Sequence, residues 1–372
     1  MTRLAAVQAA SNALNELRLD QSEPIDPFEA IEASGLELRF RPLKDLLGAV
    51  LPGNPGGVLI NSDRPATLQR YTAAHELGHW YMDQDVLSVD NEDAVLGQHR
   101  SGSRELNAQI FAAHFLMPLE LLYPTARRYG ITSRSRVEPE QAYQAARDMH
   151  VSYEAAVRQL TNTKHISAEN SAALLKARPA AIKRKLADGM ELPNARGEVW
   201  ILDHPHDRAE INAFVGDAIV LRLTERPSTG YRWCAEETHA TIHPFRPAPR
   251  PFREGTAFTE TDSATGGEVI AFPSTNTSSE VATLLLDHVV GESYHAGTSL
   301  IGGAVTRVVA YSAEAPGEDS IRLTQIRPGR PDTPVDRLDV TALVRGAPEV
   351  EFRQRLLAAF MRDEQDGVDW GQ

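Results

Sequence analysis

Arg70-Tyr71-Thr72-Ala73-Ala74-His75-Glu76-Leu77-Gly78-His79 is the stretch on which the first half of this chain turns. From Pro65 to Asp83 no proline follows the first residue, so the run reads as one helix. Residues at i and i+4 sit about 40° apart around a helix, so both imidazoles point to one side. Two histidines at this spacing, with Glu76 between them, form the pattern by which a helix grips Zn²⁺ and offers a base to water. A bound zinc lowers the pKa of water to about 7, so Glu76 can take a proton first and return it second. The bland alternative is an amphipathic helix with no ligand. It would leave two histidines and a glutamate on one stripe to find other polar partners, at a cost of several kcal/mol if they failed.

The flanks strengthen the metal reading. Gly57-Val58-Leu59-Ile60-Asn61 reads as a short strand that ends at Asn-Ser-Asp. Downstream, Glu105-Leu106-Asn107-Ala108-Gln109-Ile110-Phe111-Ala112-Ala113 begins a second helical run that stops at Met117-Pro118. Glu105 on that facing helix is the natural third ligand, and two His with one carboxylate leave a fourth position for water. Asp83 competes with it: one turn after His79 on the same face, it could ligate metal or, more in keeping with its place, hydrogen-bond a ligand's other nitrogen. His114 stands nine residues after Glu105, about 180° around that helix, and is turned away from the shell.

These residues resemble the ImmA/IrrE metallopeptidases. The resemblance rests on the stretch from Arg70 to His79, on Glu105-x-x-Ala108-Gln109-x-Phe111-Ala112 and on Leu116-Met117-Pro118. Pro24-Ile25-Asp26-Pro27 before a helix and Met149-His150-Val151-Ser152 before Ala155, Val157 and Leu160 extend it over about residues 1–175. Gln109 stands where that family usually has asparagine, and His114 where an acidic residue is common. The resemblance implies a mostly helical, zincin-like fold, Zn²⁺ on His75, His79 and Glu105, and Glu76 as catalytic acid and base. It also implies the substrate class: a helix-turn-helix repressor whose cleavage switches on a stress, mobile-element or phage response.

Composition frames the rest. At 372 residues, 42% hydrophobic and 24% charged, the chain has room for two or three soluble domains. It shows neither a basic, then apolar, start nor an apolar run near 18 residues, so a cytoplasmic protein with no membrane partner is expected. Cys234 is the single cysteine, which excludes an intramolecular disulfide and points to a packing role. A net charge of −13 argues against binding nucleic acid through phosphates, although Lys176 to Lys185 is locally basic.

Near residue 190 the texture changes. Ser135 to Lys185 reads as three or four short helices, whereas beyond Pro193-Asn194-Ala195-Arg196-Gly197 the runs become short and alternating. Strands are expected at Glu198–Leu202, Ala218–Leu223, Glu268–Phe272, Thr306–Tyr311, Ser320–Thr324 and Arg337–Thr341, separated by Gly/Pro/Asp turns as in a β-sandwich. Arg226-Pro227-Ser228-Thr229-Gly230-Tyr231-x-Trp233, Gly302-Gly303-Ala304 and Arg327-Pro328 resemble the three loops of chagasin-like cysteine-peptidase inhibitors, whose fold is immunoglobulin-like. The candidate binding positions are Arg226, Pro227, Thr229, Gly230, Gly302, Gly303, Arg327 and Pro328. Arg226 replaces an expected asparagine, and Gly329 stands where that family has an anchoring tryptophan, so the resemblance implies the fold more than inhibition. Tyr231 and Trp233 also read as core aromatics.

The expected architecture is multidomain α+β: a peptidase domain over 1–190, an all-β sandwich over 196–343, and a C-terminal helix and tail over 347–372. Val350, Phe352, Leu356, Leu357 and Phe360 give that helix an apolar face. The leading expectation is a zinc endopeptidase acting on a regulatory protein, with a substrate backbone pairing along the strand that ends at Ile60. The alternatives are a binding or inhibitor module built on the sandwich, and a sandwich that gates the zinc cleft, with Phe245–Pro251 as its moving loop. Asp203-His204-Pro205-His206-Asp207 reads as a surface loop.

Overall fold

The short β-branched run at 57–61 organises the first part of the computed structural model, which describes residues 2–83, 88–90, 103–187, 189, 190, 192, 194–203, 209–235, 279–291, 304–327 and 333–366. Strand β3 (Gly57–Asn61) pairs in parallel with β1 (Glu37–Arg41) and antiparallel with β2 (Gly48–Leu51), which in turn pairs antiparallel with β4 (Ser88–Asp90). The sheet order is therefore β1-β3-β2-β4. This corrects one expectation. Both sides of β3 are already paired, so a substrate strand cannot add beside Ile60, and the edges among the described residues are β1 and β4.

Local chemistry starts and stops the helices around this sheet. In α1 (Arg3–Glu16) Thr2 caps the first turn, and in α2 (Pro27–Ala33) the Asp26 carboxylate accepts from Phe28 and Glu29 N–H while Pro27 supplies a preset φ. α3 (Ala66–Met82) carries the histidine pair, and α4 (Ser103–Leu116) ends just before Pro118. The following helices are α5 (Leu119–Arg128), α6 (Pro139–Asp148), α7 (Tyr153–Asn162), α8 (Ala168–Leu174) and α9 (Pro179–Leu186). Glu138 and Gln141 form a capping box on α6, and Ser152 and Ser167 cap α7 and α8.

The chain divides into two compact units, residues 1–185 with 347–372, and residues 186–346. The C-terminal helix α10 (Pro348–Asp366) thus belongs with the first unit, where Phe352 packs against Phe40 of β1 at 5.7 Å between ring centroids. Arg355 of the same helix lies 3.6 Å from Glu32. Among the described residues no helix is long and apolar enough to cross a membrane.

The second unit is the expected sandwich of two four-stranded sheets. One has the order β5 (Val199–Asp203), β7 (Ala218–Glu225), β10 (Val305–Ala313), β9 (Ala282–Gly291); the other β6 (Ala209–Phe214), β12 (Asp336–Arg345), β11 (Gly317–Ile326), β8 (Arg232–Ala235). Trp200, Trp233, Leu221, Leu323 and Val340 fill the space between the sheets, so Trp233 is core. Cys234 is buried and free, and burial pushes its thiol up to about 11, which suits packing and not nucleophilic chemistry. Strands β6, β8 and β9 were not expected from the sequence, and the strand expected at Glu268–Phe272 lies outside the described residues, as do Phe245–Pro251 and His204–Asp207.

Two polar knots tie the sandwich. Asp217 accepts from the backbone N–H of Glu198 and Phe214 and from the Trp200 indole, at 2.7, 2.9 and 3.0 Å. Arg307 donates to both Asp287 oxygens at 2.7 and 2.8 Å and to Glu225 at 3.3 Å, all three side chains being at most 5% exposed. Removing the guanidinium would strand two buried carboxylates. Arg307→Ala should therefore lower stability by about 3–5 kcal/mol in denaturant unfolding of the full chain; a change below about 1 kcal/mol would show that the triad is not desolvated as described.

Candidate metal centre

The centre begins with how α3 is seated. The buried amide of Asn61, at the end of β3, accepts from Leu43 and Asp63 N–H and donates to the carbonyls of Leu43 and Leu46, fixing the path into the helix. Gln69 donates to the Ser62 and Arg64 carbonyls at 3.2 and 2.6 Å, and buried Arg70 donates to the carbonyls of Ile25 and His150. The polar residues of the first two turns thus hold the helix in rotation as well as in place.

Small residues then let the helix sit close. A Cβ on Gly48 of β2 would fall 2.6 Å from the Thr72 methyl, 2.9 Å from Glu76 Oε1 and 3.1 Å from the Leu59 carbonyl. Gly48 is therefore the floor beneath the Glu76 carboxylate. On the other side, a Cβ on Gly78 would meet the Phe111 ring at 3.0–3.1 Å, so α4 approaches α3 through that glycine. Tyr81, Phe111 and Phe115 stack in a row beside this crossing, with centroids 5.9 and 5.5 Å apart.

That approach brings three ligand-type side chains together. His75, Glu76 and His79 are all 0% exposed. His75 Nε2 and His79 Nε2 lie 3.2 Å apart, and Glu105 Oε2 lies 3.4 Å from the first and 3.5 Å from the second. Hydrogen bonding to His75 and then to His79 holds the Glu105 carboxyl well below the usual carboxylate range, against burial that works to raise it. Three donors on one ion at bond lengths of about 2.0–2.1 Å and tetrahedral angles would be about 3.3–3.4 Å apart. The observed edges match this, and the N/N/O donor set suits zinc, so the residues fit the group.

Asp83 stands behind this triangle, its Oδ2 3.5 Å from His79 Nδ1 and 3.2 Å from Arg104 Nε. His114 faces the other way, its Nδ1 3.3 Å from Gln159 Nε2. Gly48 and Arg104 escaped the sequence reading: their roles depend on strand order and on where α4 begins, which no local pattern in the chain announces.

Away from this centre, in the sandwich, the structure brings two of the three expected loops together. Arg327 donates to the Thr229 carbonyl at 3.0 Å and lies over the Tyr231 ring, and Gly230 beside it has φ +76°. Arg226 is exposed in the same turn, and the backbone of Pro227 opens a 3₁₀ turn, whereas Gly302, Gly303 and Pro328 lie outside the described residues.

Comparison with known proteins shows what this geometry is similar to. Residues 31–161 match the IrrE N-terminal-like domain of the M78 peptidases. Over these residues the chain is similar to that peptidase family. Over 106 residues the chain is 37% identical to the radiation response metalloprotease IrrE of Deinococcus radiodurans, an overlap of 28% of this chain and 32% of that protein. It is 36% identical, over 106 residues, to the radiation response metalloprotease IrrE of Deinococcus deserti, covering 28% of this chain and 37% of that protein. The chain thus spans about a third of the length of the curated relatives it matches. Over its C-terminal part it is similar to the solved structure of the cysteine protease inhibitor EhICP2 from Entamoeba histolytica, at 19% identity and a TM-score of 0.26, covering 40% of this chain and 96% of that one. A second similar structure is PbICP-C in complex with falcipain-2, at 17% identity and a TM-score of 0.22, covering 40% of this chain and 99% of that one.

The packing at Gly48 makes a direct prediction. Gly48→Ala forces Thr72 and Glu76 to move against a backbone carbonyl and should cost about 1–3 kcal/mol in denaturant unfolding; a variant as stable as wild type would place β2 farther from α3.

Proposed function

We propose that this protein is a zinc-dependent endopeptidase that makes a site-specific cut in a regulatory protein, a helix-turn-helix repressor, during a stress, mobile-element or phage response. The observation that carries the reading is the triangle of His75 Nε2, His79 Nε2 and Glu105 Oε2, with edges of 3.2–3.5 Å, inside a domain of a metallopeptidase family. The names of the relatives, radiation response metalloproteases, support the stress setting. On this reading residues 1–190 form the peptidase domain, and the sandwich at 196–343 selects substrate or receives a regulatory partner through the loop of Arg226, Thr229, Gly230 and Arg327. Residues 347–372 are a C-terminal helix and tail, the helix docking on the body, and the protein acts in the cytoplasm on protein, with no nucleic acid bound directly.

His75, His79 and Glu105 would hold the zinc, and Asp83 would act from behind His79. When bound, zinc supplies Lewis acidity toward the scissile carbonyl and lowers the pKa of water to about 7. Glu76 takes the proton of the attacking water and passes it to the departing amine. Its burial against Gly48 raises the effect of every charge around it, since water there no longer screens. Glu105 contributes one negative charge to the ligand set and the imidazoles none, which suits a dication that keeps a net positive charge for polarising the substrate. A substrate backbone that pairs with the sheet would add at β1 or β4, the edge strands among the described residues.

Two variants test the reading. Glu76→Gln should keep zinc at one ion per chain, by metal analysis of the purified protein, and lose cleavage by about 10²-fold or more, measured as new protein N-termini in expressing cells. His79→Ala should lose both metal and cleavage. A Glu76→Gln enzyme that still cuts removes Glu76 from the mechanism, and a wild type free of zinc removes the site.

A further inference from the structure

His79 has two faces. Its Nε2 belongs to the ligand triangle, while its Nδ1 is turned to Asp83 Oδ2, and that same oxygen is the one that Arg104 Nε approaches. Arg104 directly precedes Glu105 in the first turn of α4, and Asp83 is the residue that terminates α3. The end of one helix and the start of the next are therefore joined by a cation–carboxylate pair aimed at the back of a ligand.

We propose that Arg104 is a positioning residue for the metal site: its guanidinium fixes Asp83 behind His79, so one helical turn supplies both the Glu105 carboxylate and the cation that aligns a histidine across from it. The inference rests on the reading of His75, His79 and Glu105 as ligands and extends it to a residue that touches none of the ion's donors.

The physical need is plain from the geometry. Asp83 has left the helix, with φ −142° and ψ 43°, and its side chain is 24% exposed, so water competes for its oxygens and its rotamer is not set by packing alone. A carboxylate behind an imidazole ligand fixes the ring and its tautomer only while it stays in place. Arg104 provides the restraint as a permanent cation whose planar guanidinium carries its donors in a rigid fork, which the point charge of a lysine ammonium does not reproduce. The Arg104 side chain is itself 40% exposed. Its Nε is itself enclosed, so the melting temperature of the metal-free protein is what separates an effect on the ion from an effect on the fold.

The experiment uses the full chain stripped of metal with a chelator, then titrated with Zn²⁺ in competition with a chromophoric chelator of known affinity. Arg104→Gln should weaken zinc binding about tenfold, the lower end of the range for groups standing behind a ligand, and Arg104→Lys should recover part of the loss. Asp83→Asn should weaken it at least as much, and adding Arg104→Gln to Asp83→Asn should change nothing further. The melting temperature of the metal-free protein should be the same in all of them. Unchanged zinc affinity in Arg104→Gln overturns the proposal, as does an undiminished Arg104→Gln loss in the Asp83→Asn background or a loss mirrored by a lower metal-free melting temperature. A wild-type chain that takes up no zinc overturns the ligand reading itself, and this inference with it; a wild type that binds one ion as tightly as Arg104→Gln overturns the inference alone.

Discussion

The close approach of α3 to α4 at Gly78 is the constraint on which the site depends. Any side chain there would press on the Phe111 ring, and the stacked row of Tyr81, Phe111 and Phe115 leaves that ring little freedom to retreat. The two helices run antiparallel, Gly78 meeting Phe111 and Asp83 meeting Arg104, so Glu105 arrives on the side of α3 that carries both histidines. Widening the crossing by the width of one methyl group would lengthen the ligand edges beyond what a single ion spans. Gly48 plays the matching part on the sheet side, leaving room for the Glu76 carboxylate. A helix flanked by two glycine contacts, one to a strand and one to another helix, is held in rotation, and rotation is what aims the two imidazoles.

Much of this was legible because the signals are local. The β-branched run of β3, the proline-free stretch of α3 and the Met117-Pro118 stop after α4 are each encoded within a few residues, and the structure places those elements within a residue or two of their expected bounds. The i, i+4 histidine spacing carries its own geometry. What the sequence could not display was which strand lies beside which: β3 looked available to a substrate, yet β1 and β2 occupy both its sides. Arg104 and Gly48 matter through partners on other elements, Asp83 and Glu76, and nothing in their own neighbourhood marks them.

The sandwich shows the same division. Strands with clean apolar alternation, such as β12, or with a continuous apolar run, such as β7, could be recognised, whereas β9 interrupts its run with Asp287, which reads as a turn residue until Arg307 on β10 neutralises it from the neighbouring strand. β8 is only four residues long and ends in the lone cysteine's neighbourhood, too short for a pattern of period two to declare itself. The buried triad of Arg307, Asp287 and Glu225 is satisfied across strands and not along them, so β9 is readable only once paired.

Diffraction data collected on either side of the zinc absorption edge, from crystals of the full chain grown with zinc, test the central claim most directly. The account predicts one anomalous peak that vanishes below the edge, set between His75 Nε2, His79 Nε2 and Glu105 Oε2 at about 2.0–2.2 Å from each. A zinc peak elsewhere, or a triangle of those atoms with no peak in a zinc-saturated crystal, would contradict it.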